Sequence, residues 1–171
     1  MSHPIEIVAY EPDLAPNLGS LVRLGVCFDA PINVIEPCGF PFSLKLLKTR
    51  GLDYVESATI KRHNSWEDFQ FNQRETQRRL VLLTTKSSKS IWDFEFLRGD
   101  SIVLGRESMG VPENVHQEVD ERINIPMPGP ARSLNIAISA GIALAEASRQ
   151  LKLHDLPIYY LEGTVVDILS L

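Results

Sequence analysis

The chain has 171 residues, 44% hydrophobic and 23% charged, which fits one ordinary globular domain with a full core. No apolar run is long enough to span a bilayer, and MSHPIEIVAYEP lacks the basic and apolar regions of a secretory signal, so a cytoplasmic protein is expected. The net charge of −5 weighs against a dedicated nucleic-acid binder, though only weakly, because local clusters matter more than the sum. Three such clusters are present: Lys45, Lys48 and Arg50; Lys61, Arg62 and His63; Arg74, Arg78 and Arg79. Each taken alone reads as a solvated helix face or loop.

Along the chain, IEIVAY (5–10) predicts a short apolar strand, and the loop with Pro12 and Pro16 leads into a helix, NLGSLVRLGVCFD. Leu18, Leu21, Val22 and Gly25 fall on one stripe of it. PINVIEP (31–37) predicts a second strand, FSLKLLKTRG a short helix ended by Gly51, and DYVESATIKR a weak, edge-like strand. SWEDFQFNQRET predicts a helix capped by Ser65, with Trp66 and Phe69 facing the core. RLVLLTT (79–85) and SIVLG (101–105) read as buried strands. The polar loop between them carries Trp92, Phe94 and Phe96, all expected to pack. VPENVHQEV predicts a short helix with Pro112 in its first turn, RINIPM (122–127) the last strand, and a final helix runs from Ser133 to about Leu151. Strands alternate with helices, and the central strands are apolar without alternation, so the fold class is α/β: a mostly parallel sheet covered by helices on both faces. One domain over 1–152 is expected, with the tail 153–171 packed on the body or on a partner subunit.

Several chemistries are excluded. GRESMG has the glycine spacing of half a phosphate loop, but Val111 and Pro112 stand where Lys and Ser or Thr are required. No G-x-G-x-x-G follows the first strand, the four histidines are scattered, and Cys27 and Cys38 fit no metal spacing, so no metal is expected. What remains is a metal-free site built from strand-end loops. Three stretches qualify. In PNLGSLVR, Asn17 and Gly19 open a helix and Arg23 follows one turn later. In VLGRESMGVP, Gly105 and Gly110 flank Glu107, which suggests a sharply bent backbone that approaches something closely. In IPMPGPARSLNIAISAG, a stiff loop leads to Ser133 and Asn135 and then to a helix of small residues.

Together these stretches resemble the three signature motifs of the SPOUT superfamily of S-adenosylmethionine-dependent RNA methyltransferases, in its SpoU branch. The resemblance covers nearly the whole chain, from IVAYEPDLAPNLG to LAEASRQL. YEP, IEPCGFPF, GLDY, LTTK, LGRESMGVP and IPM…RSLN are most like the small tRNA (cytidine/uridine-34) 2'-O-methyltransferases. The resemblance implies a deep trefoil knot in the C-terminal third, a homodimer with its RNA site shared between subunits, and the tRNA anticodon stem-loop as substrate. It implies S-adenosylmethionine contacts at Leu83, Thr84, Gly105, Gly110, Ile125, Met127, Ser133 and Leu134. The catalytic set expected on these motifs is Arg23, Glu107, Ser133, Asn135 and Asn17, with Asn135 and Asn17 fixing loop geometry; the placement of Arg and Glu at facing loop ends suggests that Glu107 orients Arg23. RNA contacts are expected from Arg23, Lys45, Lys48, Arg50, Lys61 and Arg62. Ser20 stands where the family's first motif usually has a second Asn, and Ala145 where some relatives carry Tyr. Three rival readings exist: the same chemistry on another tRNA position or on ribosomal RNA, a non-catalytic RNA-binding factor that keeps the fold, and a flavodoxin-like small-molecule enzyme.

Overall fold

The computed structural model describes residues 3–43 and 56–153. Six strands form one sheet: β1 (Ile5–Tyr10), β2 (Ile32–Ile35), β3 (Ile60–His63), β4 (Arg79–Leu83), β5 (Asp100–Leu104) and β6 (Glu121–Ile123). Their order is β3-β2-β1-β5-β4-β6, and every neighbouring pair is parallel. Among the described residues four α-helices accompany them: α1 (Ala15–Cys27), α2 (Trp66–Gln73), α3 (Glu113–Glu118) and, after the last strand, α4 (Ile136–Gln150).

The absence of apolar alternation in the central strands has a direct cause: both faces of the sheet are covered. Successive side chains of a strand point to opposite faces. Ile5, Ile7 and Ala9 of β1 accordingly join one core with Ile102 and Leu104 of β5, while Val8 and Tyr10 join the other with Val103. α1 and α4 cover the first face. Leu18, Leu21 and Val22 of α1 are buried there, as are Ala140, Ala143 and Ala147 of α4, and the two helices pack on one another. Small side chains at these positions allow a close approach. Gly25 serves the same end, since a Cβ there would lie 2.7 Å from the Ala30 carbonyl.

α2 and α3 cover the second face. Ser65 caps α2 by accepting from Asp68 N, and Trp66 and Phe69 are buried beneath it. Trp66 Nε1 donates to Glu118 of α3 at 2.6 Å, which ties the two helices together. Charged residues near the amino ends of the strands are satisfied in pairs. Arg79 grips the fully buried Asp100 with two bonds of 2.8 Å, and Arg78 lies 3.3 Å from Glu6.

Some elements differ from the sequence expectation. α1 begins at Ala15, because Pro16 is accommodated in the first turn. α4 begins at Ile136, so Ser133 and Leu134 belong to the loop and Asn135 is the cap. The last strand is half the expected length. Ile123 O accepts from Thr84 N on the β4 side. Asn124 instead donates to Lys89 O and accepts from Ile91 N, and Pro126 then removes a ladder donor. Alternate residues of a strand bond to opposite sides, so the connection from β4 to β5 runs along the side of β6 away from β4. Trp92 in that connection is 56% exposed, whereas Phe94 and Phe96 pack as expected. The helix expected over 42–51 lies, after Ser43, outside the described residues. So do Lys45, Lys48, Arg50 and the tail beyond Leu153.

Two stability measurements follow. Ile102→Ala, at a fully buried site, should lower the free energy of unfolding in urea by about 2–5 kcal/mol. Hydrogen bonds from Arg149, then from Gln150, hold the Glu146 carboxyl down from 4.5 to about 2. Its stabilising contribution is therefore complete above pH 4.5 and is lost as the pH falls towards 2. Glu146→Gln should flatten that part of the curve of Tm against pH.

Candidate functional site

The loops that leave the carboxyl ends of β4, β5 and β6 wall a cleft of about 340 Å³, within the range that holds small ligands. The β5 loop is the most constrained. Arg106 and Gly110 exchange two backbone bonds, of 3.0 and 2.9 Å, so Glu107 to Met109 form a tight reverse turn. Gly110 has φ +71, a left-handed conformation that side chains oppose. Gly105 is required for a different reason: a Cβ there would meet the Gly110 carbonyl carbon at 2.6 Å.

This turn is clipped to the loop after β1. Arg106 donates to Glu11 at 3.0 Å and to Asp13 at 3.3 Å. Ser108 donates to Asp13 through both its N–H (2.9 Å) and its hydroxyl (2.6 Å). These Ser108 bonds, with Arg106 beside them, hold the Asp13 carboxyl below the usual carboxylate range. Glu107 completes the clip. Its Oε2 accepts from Asp13 N at 2.8 Å and its Oε1 from Asn17 Nδ2 at 2.9 Å. Asn17 Oδ1 accepts from Asn135 Nδ2 at 3.0 Å, and Asn135 Oδ1 caps α4 by accepting from Ala137 N and Ile138 N. A carboxylate only accepts, so the amide of Asn17 must point its nitrogen at Glu107. That orientation in turn fixes the amide of Asn135.

The eight residues expected to meet a cofactor (Leu83, Thr84, Gly105, Gly110, Ile125, Met127, Ser133 and Leu134) all line the cleft, as does Glu107. Asn17 and Asn135 meet in the hydrogen-bonded chain beside it. Arg23 does not line the cleft of its own chain. Six residues turn an α-helix by about 600°, which sets Arg23 about 120° around α1 from Asn17. It is exposed there, and Glu107 accepts from Asn17 Nδ2 and from Asp13 N. Lys61 and Arg62 lie on the edge strand β3. Arg62 pairs with Glu36 at 2.7 Å and covers the Phe42 ring. Ser20, in place of a second Asn, donates back to Pro16 O within its own helix.

The sequence reading missed Lys86, Arg106, Arg132 and His116 in the cleft wall, and Asp13 behind it. Arg106 is already paired with Glu11 and Asp13, and the other lining cations, Lys86 and Arg132, outnumber the one lining carboxylate, Glu107, so the cleft is less acidic than the chain as a whole. The signal for Lys86 and Arg132 was present in LTTK and ARSLN, next to residues already singled out. Nothing local marked Asp13, whose partners are more than 90 residues away. Among the described residues no group of side chains could hold a metal, and no helix is long and apolar enough to cross a membrane. Burial pushes the free Cys38 thiol up to about 11, which keeps its thiolate fraction small near neutral pH.

Fold and cleft define a parallel α/β ligand-binding protein whose site is made by loops at the carboxyl ends of its strands. The model of the SpoU rRNA methylase family matches residues 4–145, and the chain belongs to that family. It is 44% identical over 144 residues to a tRNA (cytidine(34)-2'-O)-methyltransferase of Beijerinckia indica, covering 84% of this chain and 90% of that one. A solved structure concerned with 2-OH methylation of C/U34 on tRNA superposes with a TM-score of 0.81 at 35% identity, over 88% of this chain and 97% of that one. An AdoMet-bound rRNA methyltransferase of Sinorhizobium meliloti superposes at 0.76 and 28%, over 88% and 59%.

Gly105→Ala tests the geometry of the β5 loop. The opposing atoms are backbone and cannot yield, so the variant should unfold at a lower temperature than the wild type. Ser139→Ala, at another cleft-lining position, should not.

Proposed function

We propose that this protein methylates the 2'-hydroxyl of the wobble nucleotide, cytidine or uridine 34, of tRNA, with S-adenosylmethionine as donor. The observation that carries the reading is the cleft itself, in a chain of this family. Leu83, Ile125, Met127 and Leu134 offer apolar walls for a purine, Gly105 and Gly110 bring bare backbone close, and Glu107 is the one lining carboxylate near a cationic ligand. The residues present therefore fit the donor, which when bound supplies an electrophilic methyl group on a sulfonium.

The chain's own residues bind and align. In-line alignment of two reactants is worth up to ~7–11 kcal/mol. The Glu107–Asn17–Asn135 chain gives that alignment a rigid frame, because it locks the β5 loop to the start of α4. Lys86 and Arg132 on the rim suit the phosphates of a polyanion. A guanidinium offers only hydrogen-bond donors, so Arg23 is not read as the group that takes the hydroxyl proton. Its role in this reading is to grip a phosphate and stabilise the developing alkoxide. Because Arg23 is exposed and turned from its own cleft, the active unit is read as a homodimer in which it reaches the other subunit's cleft. Exposed Leu14 and Ile138, at the starts of α1 and α4, suit such an interface. The path of the β4–β5 connection around β6 supports the expected trefoil knot, with the chain after β6 passing through that connection. One methyltransferase domain over 1–152, acting on tRNA in the cytoplasm, completes the reading.

The direct test is transfer of a labelled methyl group from S-adenosylmethionine to a tRNA pool that lacks this modification, with mapping of the labelled nucleotide. Label on the 2'-oxygen of nucleotide 34 is expected. Label elsewhere would move the target, and absence of donor binding would overturn the enzyme reading. Glu107→Gln, which replaces one acceptor oxygen with a donor, should slow transfer about 100-fold through misalignment. Affinity for tRNA should fall steeply as salt rises, and a slope near zero would contradict the phosphate contacts.

A further inference from the structure

Two tryptophans occur in the chain, and they are treated in opposite ways. Trp66 is 4% exposed and its N–H is bonded to Glu118. Trp92 is 56% exposed. An indole gains more from burial than most side chains, so its exposure on an ordered segment calls for a partner. The segment is well pinned. Ile91, directly before it, is fully buried, and its N–H donates to Asn124 O at 2.8 Å. Trp92 N donates to Ser90 Oγ at 3.1 Å, and Asp93 N to Ser90 O at 3.1 Å. The ring is therefore presented by a rigid 3-10 turn, Ile91–Asp93.

The turn follows the cleft wall directly in sequence. Thr84, Thr85 and Lys86 line the cleft wall, and the same segment, TTKSSKSIW, runs on to Trp92 with two lysines and no acid. Lys89 is already engaged, 3.0 Å from Glu121 and 4.8 Å from the Phe94 ring centroid. Lys86 is exposed at the cleft rim. An exposed ring, a rigid mount and a cation six residues before it in an otherwise acidic chain are the parts from which single-stranded RNA sites are built.

We propose that Trp92 is a stacking platform for an unpaired base of the RNA substrate, with Lys86 taking a phosphate of the same strand. The proposal rests on the RNA methyltransferase reading above and names a contact that the catalytic set does not include. Bases flanking a methylated loop nucleotide are unpaired and offer the ring a face, while the cleft holds the reacting ribose.

The test is a titration of the full-length protein with tRNA, read by tryptophan emission and by filter binding, in wild type, Trp92→Ala and Trp92→Phe. Saturating tRNA should quench the emission of the exposed indole and leave that of buried Trp66. Trp92→Ala should raise the Kd for tRNA, and the KM for tRNA in methyl transfer, about tenfold, while Trp92→Phe recovers most of the loss. Its kcat, its affinity for S-adenosylmethionine and its Tm should stay at wild-type values. Wild-type tRNA affinity in Trp92→Ala, or emission unchanged at saturation, overturns the stacking platform and leaves the enzyme reading standing. A wild-type protein that neither binds nor methylates RNA overturns both.

Discussion

A carboxylate accepts hydrogen bonds and donates none, and the loops around the cleft are organised by that rule at Glu107. Its two oxygens take one bond from the backbone after β1 and one from the side chain of Asn17. Asn17 must then present its oxygen to Asn135, and Asn135 its oxygen to the free N–H groups of α4. Three segments far apart in sequence are thereby set by the acceptor character of one group. Asp13 reinforces the arrangement from the other side, through Ser108 and Arg106. The parallel sheet makes this possible, because all its strands deliver their following loops to the same end.

The strands were legible for a plain physical reason. β1, β2 and β5 are buried on both faces, so their sequences are mostly apolar without alternation, interrupted only by the buried Glu6, Asn33, Asp100 and Ser101. The same rule overextended β6. RINIPM continues apolar beyond Ile123, but its pairing is decided by which neighbours remain, and Asn124 turns to Lys89 and Ile91. α4 was placed three residues early, since Ser133 and Asn135 are both good caps and only the hydrogen bonds to Ala137 and Ile138 distinguish them. Trp92 was expected to pack with Phe94 and Phe96 as a pin of its polar loop, but Ile91, Phe94 and Phe96 are the residues buried there and Trp92 is exposed.

The cleft was more legible than the groups that hold it. Gly105 and Gly110 announce themselves because backbone bends and close approaches leave few alternatives to glycine. Arg106 and Asp13 are ordinary charged residues, and their meeting across 93 positions is a product of the β1–β5 pairing. Net charge misled in a similar way. The chain is acidic as a whole, yet Lys86, Arg106 and Arg132 gather around one cleft. A sum over the sequence carries no information about which charges share a surface.

The central place of β5 has a consequence for synthesis. β1 pairs on one side with β2, made soon after it, and on the other with β5, whose Ser101 lies 95 residues beyond Glu6. At bacterial or eukaryotic elongation rates that interval is roughly 5–20 s. During it the strand IEIVAY, every residue of which is buried in the finished protein, waits with one edge open. An apolar strand with an unpaired edge is a template for wrong pairing between nascent chains. The interval in which β1 must stay clear of wrong partners is thus set by the sheet order, which places the latest-made central strand against it.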